Sequence, residues 1–158
     1  MVKVAALATD GLEEIELTGP QEALEKAGAT VTVISLKAGE FQAVNKDIYP
    51  SNKIRADLAI ADAKAEDYDA LLLPGGLASP DALRMNKAVV AFARAVGTAN
   101  QPIAARGPGA PPMRTDLENA GASWVDNEVV VDGAYVFSRC PDDIPAFNKT
   151  IIKHFKLA

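Results

Sequence analysis

The sequence predicts an α/β fold built on a parallel sheet, and three observations carry that expectation. Short apolar runs of strand length recur along the chain, each closed by glycine, proline or aspartate. Stretches with apolar residues at helical spacing alternate with these runs. The first strand, helix and second strand together occupy about 35 residues, the length of one βαβ unit, which brings its two strands in parallel.

Val2 to Thr9 (VKVAALAT) is apolar throughout and closed by Asp10-Gly11, as a strand buried on both faces should be. Glu13 to Lys26 has apolar residues at Ile15, Leu17, Ala23 and Leu24 and reads as a helix, with Pro20 near its first turn and Gly28 ending it. Thr30 to Leu36 (TVTVISL) is rich in β-branched residues and reads as the second strand. Residues 37–60 mix turn residues with short extended pieces, which fits a hairpin or an edge excursion. Tyr68 to Gly76 (YDALLLPGG) is a continuous apolar strand stopped by Pro74-Gly75-Gly76. Residues 86–99 form a helix capped by Asn86, with Val89, Val90, Phe92, Ala93 and Val96 on its apolar side. Pro102 to Ala105 is the fourth inner strand. Thr115 and Glu118 have capping-box spacing and Gly121 stops that helix. SWVD, EVVVDG and AYVFS read as short strands, with Asp132-Gly133 as a two-residue hairpin turn. The last helix starts at Asp142 or Asp143, takes Pro145 in its first turn and runs to about Phe155.

At 158 residues, 49% apolar and 23% charged, the chain suits one globular domain with a proper core. A net charge of −5 argues against nucleic acid or an anionic membrane as partner, since both demand clustered Lys and Arg. No apolar run reaches the roughly 18 residues of a membrane span, and the N-terminus turns acidic too early for a signal peptide. One cysteine, Cys140, and one histidine, His154, exclude an internal disulfide framework and leave no metal cluster. No Gly-rich phosphate loop opens the first helix, so a flavodoxin-type cofactor is not expected. A cytoplasmic protein without metal or cofactor is the expectation.

In doubly wound sheets, ligands bind at the C-terminal ends of the strands. Four such ends are visible: Asp10 to Glu16, Gly75-Gly76, Arg106-Gly107, and Ser138 to Asp143. They offer acids, bare backbone N–H groups and a sharp strand-to-helix turn, the ingredients of a covalent hydrolytic site.

ATDGLEEIELTGPQEALEKAG, YDALLLPGGLASPDALR, NAGASWVDNEVVVDG and SRCPDDIPAFNKTII together resemble the ThiJ/PfpI superfamily. That class I glutamine-amidotransferase-like group includes the PfpI intracellular cysteine peptidases and the Parkinsonism-associated protein deglycase. The resemblance spans Val2 to about Phe155 and is nearest the PfpI branch. It implies a flavodoxin-like three-layer sandwich with a mostly parallel central sheet, and a homodimer or larger ring. The implied activities are those of a peptidase, glyoxalase, deglycase or stress chaperone, with peptides or small carbonyl compounds as substrates.

By the same resemblance, Glu16 matches the family acid that keeps the nucleophilic cysteine reactive, and Glu13 is its neighbour. Gly75 and Gly76 match the oxyanion donors. Asp81 matches a carboxylate that, in the PfpI branch, reaches a neighbouring subunit and orients its histidine. The family's nucleophile lies in a turn of pattern A-x-C-H-G-P. Here the chain reads Ala105-Arg106-Gly107-Pro108, so the Gly-Pro remains and the Cys-His pair is absent.

Relatives place a helix and a strand between that turn and the block resembling RTDLENAGA. Here only Gly107 to Met113 intervene, a shortfall of roughly 15–20 residues at usual element lengths. GPGAPP, with three prolines and two glycines in six residues, cannot supply the helix that backs a nucleophile elbow. Either the deletion is genuine and the protein is a non-catalytic oligomer of the same fold, or the native protein has residues here that this sequence lacks. Intact flanking blocks favour the second, because removing a helix and a strand from a packed sandwich exposes core. A continuous chain of normal peptide bonds from Arg106 to Arg114 is the geometric test.

The remaining residues have plainer readings. Glu13 and Glu16 also suit the first turn of a helix, where acids complement the dipole. Gly75-Gly76 suits a turn needing positive φ, and Asp81 suits a helix cap. Cys140 reads as incidental, His154 as a solvated surface residue, Asp142 and Asp143 as caps, and Trp124 with the EVVV aliphatics as core or subunit interface.

Overall fold

The computed structural model describes residues 1–106, 115 and 118–157, and the Arg106–Arg114 continuity test lies outside them. Ten strands are described: β1 (Lys3–Leu7), β2 (Leu12–Glu13), β3 (Thr30–Ser35), β4 (Gly39–Asn45), β5 (Tyr49–Ala56), β6 (Leu58–Ala59), β7 (Ala70–Leu73), β8 (Ile103–Arg106), β9 (Val129–Asp132) and β10 (Tyr135–Ser138). The described α-helices are α1 (Glu14–Lys26), α2 (Ala78–Arg84), α3 (Lys87–Thr98) and α4 (Ile144–His154).

Seven strands form the central sheet in the order β6-β3-β1-β7-β8-β10-β9, parallel throughout except for β9. Alternate residues of the inner strands feed two cores. Val4, Ala6, Leu72, Ala104 and Val136 pack against Leu17 and Leu24 of α1 and Phe147 and Ile151 of α4. Ala5, Leu7, Leu71 and Ile103 pack against Leu83 of α2 and Val89, Phe92 and Val96 of α3. Burial on both faces is why these strands read as unbroken apolar runs. The result is a three-layer α/β sandwich.

The excursion at residues 37–60 is an antiparallel hairpin of β4 and β5, extended by β2 into a second, three-stranded sheet. Asn86 caps α3 as expected, its Oδ1 accepting from the N–H groups of Ala88 and Val89 at 2.9 and 3.2 Å.

Several expectations need correction. Pro20 sits in the second turn of α1, buried, not the first. Asp81 lies inside α2 and caps nothing. SWVD forms no strand. The β9–β10 turn is Gly133-Ala134, one residue later than read, because Asp132 still pairs with Tyr135. Asp143 gives no side-chain cap to α4; its carboxylate instead binds Arg139. His154 is half-buried, with Nε2 enclosed and without a hydrogen bond among the described residues.

Candidate active site

Strands β1, β7, β8 and β10 are consecutive in the sheet, so the chain segments leaving their C-terminal ends converge. The β1 exit leads into the first turn of α1 and carries Glu16, buried at 5% exposure. The β7 exit supplies Gly75 and Gly76. The last residue of β8 is Arg106, whose side chain is fully buried. The β10 exit brings Arg139, Cys140 and Asp143.

Arg106 reaches under α1. Its Nε lies 3.5 Å from Glu16 Oε2, and its guanidinium stands 5.2 Å over the Phe147 ring centroid. Its Nη2 donates to the Cys140 carbonyl. Arg106 Nε and Nη1 and Glu16 Oε2 make no well-formed hydrogen bond among the described residues. Burial pushes the Glu16 carboxyl above its ordinary range; the Arg106 charge and the Gly75 N–H pull it back only in part.

Two glycines make this approach possible. A Cβ at Gly75 would collide with Glu16 Oε2 and come within 3.0 Å of the Arg106 carbonyl oxygen. Gly76 has φ +101°, and a Cβ there would meet the Glu13 nitrogen at 2.9 Å. Glu13 itself is buried and turned away from Arg106: its carboxylate accepts the N–H groups of Lys46 and Asp47 at 3.0 and 2.8 Å. Both donors sit in the left-handed region, so Glu13 latches the β4–β5 turn to the site. Asp81 stands apart, exposed on α2 and held by Arg84 Nε at 2.7 Å.

The sequence therefore named Glu16, Gly75 and Arg106, which meet, together with Glu13 and Gly76, which flank them. It marked the β10 exit, Ser138 to Asp143, as a strand end, but read Cys140 there as incidental and gave Arg139 no role. Arg139 Nε and Nη2 each bind the Asp143 carboxylate at 3.0 Å, and Arg139 Nη1 reaches Asp126 at 2.5 Å. Those contacts hold the Asp143 carboxyl below its ordinary range. Cys140 Sγ lies 3.5 Å from Asp143 Oδ2, and its carbonyl caps Arg106, so this thiol borders the site. The strand-end rule flags Ser138 to Asp143 as a segment and does not single out Cys140, whose one partner close in sequence is Asp143.

A sequence profile of the DJ-1/PfpI family matches residues 2–110 and 106–154. The chain belongs to that family. Among its relatives is YraA of Bacillus subtilis, named as a candidate cysteine protease, 40% identical over 98% of each chain. A deglycase of Pyrococcus abyssi is 34% identical over 98% of this chain and all of its own. General stress protein 18 of Bacillus subtilis is 39% identical over 93% of this chain and 94% of its own. The fold also superposes, with a TM-score of 0.88 and 27% identity, on a two-domain protein from Anabaena variabilis that joins a DJ-1/ThiJ/PfpI-like to a ferritin-like domain. That match takes in 99% of this chain and 48% of the other.

The two profile matches overlap at 106–110, where the A-x-C-H-G-P pattern breaks. The YraA alignment runs over 171 positions against 158 residues, so at least 13 positions (171 − 158) find no residue here.

Proposed function

We propose that this chain is a DJ-1/PfpI protein whose hydrolytic centre has been replaced by a buried ion pair, and that it acts as a non-hydrolytic, homo-oligomeric protein of the stress-associated kind. The observation that carries this reading is Arg106. It stands where the family resemblance puts the nucleophile turn, buried against the acid that would hold a thiolate. A guanidinium is neither nucleophile nor base at physiological pH, and it occupies the carboxyl that a thiol would need. The only cysteine cannot take over with the only histidine. Cys140 precedes α4, whereas His154 ends it, roughly 15 Å further along the helix axis.

A second reading, thiol-dependent hydrolysis of peptides or glyoxal-type adducts, is favoured by the raised Glu16 carboxyl and by the names of the relatives. In it Glu16 would tune a thiolate, Gly75 and Gly76 would stabilise the oxyanion, and Asp81 would orient a histidine of a neighbouring subunit. Peptides or small carbonyl compounds would be its substrates, in the cytoplasm, without metal or cofactor.

Turnover of methylglyoxal and of a fluorogenic peptide, with and without iodoacetamide, separates the two readings. The first expects no turnover above buffer and an intact mass of 16.6 kDa. Iodoacetamide-sensitive turnover, or a mass higher by about 2 kDa (roughly 15–20 residues), overturns it in favour of the second.

A further inference from the structure

The corner where α2 meets α3 forms a cleft of about 220 Å³ lined by six residues. Arg84 ends α2 and Met85 follows it; Lys87, Val90, Ala91 and Arg94 come from α3. The last four recur at i, i+3, i+4 and i+7, so they share one face of the helix. Three of the six are cations, three are apolar, and none is an acid. Met85 is 73% exposed and Val90 39%. This is a local reversal of sign in a chain of 16 basic and 21 acidic residues with a net charge of −5.

The cations are not explained by the fold. Arg84 has Asp81 at 2.5 Å, both side chains being well exposed. Lys87 and Arg94 make no ion pair among the described residues. Lys87 is also the first residue of α3, where the partial positive charge of a helix end disfavours a cation. α3 has no acid in its first turn to offset it. Stability therefore does not account for Lys87, whereas an acid from outside would satisfy it and Arg94 together.

We propose that this cleft binds an extended acidic peptide segment of a partner protein, with one apolar residue set between two carboxylates. Charge complementarity fixes the sign, and geometry fixes the spacing. Lys87 and Arg94 stand about 10.5 Å apart along the helix axis, at 1.5 Å per residue. In an extended chain, side chains on one side recur every second residue, so acid-x-apolar-x-acid points three groups the same way over about 13 Å. Two long, flexible cations reach both acids, while the apolar residue meets Met85, Val90 and Ala91. The cleft is smaller than the roughly 300 Å³ of a small-molecule pocket, and it takes a side chain. None of its residues belongs to the strand-end site.

The test uses the whole protein and a fluorescein-labelled peptide of about ten residues carrying Glu-Ser-Leu-Ser-Glu at its centre. A control of identical composition has one glutamate moved by one position, so that it faces the other way. Anisotropy should saturate with the first peptide, not with the control, and binding should weaken as salt rises. Lys87→Glu and Arg94→Glu should each weaken binding at least tenfold. Lys87→Glu should at the same time hold or raise the melting temperature, because an acid suits the first turn of a helix. The double variant should bind instead a peptide with lysines in place of the glutamates. Equal binding of the control, or indifference to both substitutions, overturns the proposal. So does equal affinity for single-stranded RNA or anionic vesicles, which would make the corner a general anion surface. A wild-type oligomer in sedimentation that Lys87→Glu or Arg94→Glu dissociates also overturns it, because a second copy would then fill the cleft.

Discussion

Replacing Glu16 by Gln should be among the most damaging single changes in this protein. The Arg106 side chain is fully buried, and its strongest partner is a carboxylate that is itself 5% exposed. A guanidinium cannot shed its proton, so the substitution strands a buried cation. Breaking such a pair from one side costs about 3–5 kcal/mol. That is a large part of the 5–15 kcal/mol available to a typical domain. Arg106→Met should cost less, because the Glu16 carboxyl, already raised by burial, can go neutral by taking up a proton. The double substitution should recover to within about 1–2 kcal/mol of wild type, since burial opposes the charged carboxyl more than Arg106 favours it. Urea unfolding of the four proteins, read by tryptophan fluorescence, gives the coupling energy directly. Two results would refute the reasoning: a loss below about 1 kcal/mol for Glu16→Gln, or a double mutant equal to the sum of the singles.

Two further outcomes follow from the same geometry. Gly75→Ala drives a methyl into Glu16 Oε2, and calorimetry should register a loss of about 1–3 kcal/mol; an unchanged melting temperature would mean the carboxylate is free to move. The acids Glu16 and Asp143 should pull the pH dependence of stability in opposite senses. The raised Glu16 carboxyl keeps its proton longer in the folded state, so stability falls as pH climbs from its ordinary value through its higher native one. The lowered Asp143 carboxyl contributes stability above the ordinary aspartate range, which is lost as pH falls toward its lower native value. Glu16→Gln in the Arg106→Met background should remove the first slope, and Asp143→Asn the second; melting curves from pH 3 to 8 would show an unaltered slope if either assignment is wrong.

The sequence by itself determined the fold. Buried parallel strands advertise themselves as apolar runs such as AALA and ALLL, and Asn86 announces its helix because capping is a local interaction. It also placed Glu16, Gly75 and Arg106 at strand ends, where a parallel sheet collects its functional residues. The element boundaries failed where local chemistry was overruled. Asp143 has the residue type of a cap, yet a buried carboxylate gains more from two guanidinium contacts than from a helix N-terminus. Only the tertiary structure decided that Arg106 points inward onto Glu16 rather than out to solvent, because a long cation turns inward only where an acid awaits it and an aromatic face lies beneath. It likewise decided that Cys140, which has one close partner in sequence, borders the site, and that Val136 and Ser138 of β10 are the buried residues while Tyr135 and Phe137 stay partly exposed. Alternation along a strand says that two faces exist, and only packing says which one is covered.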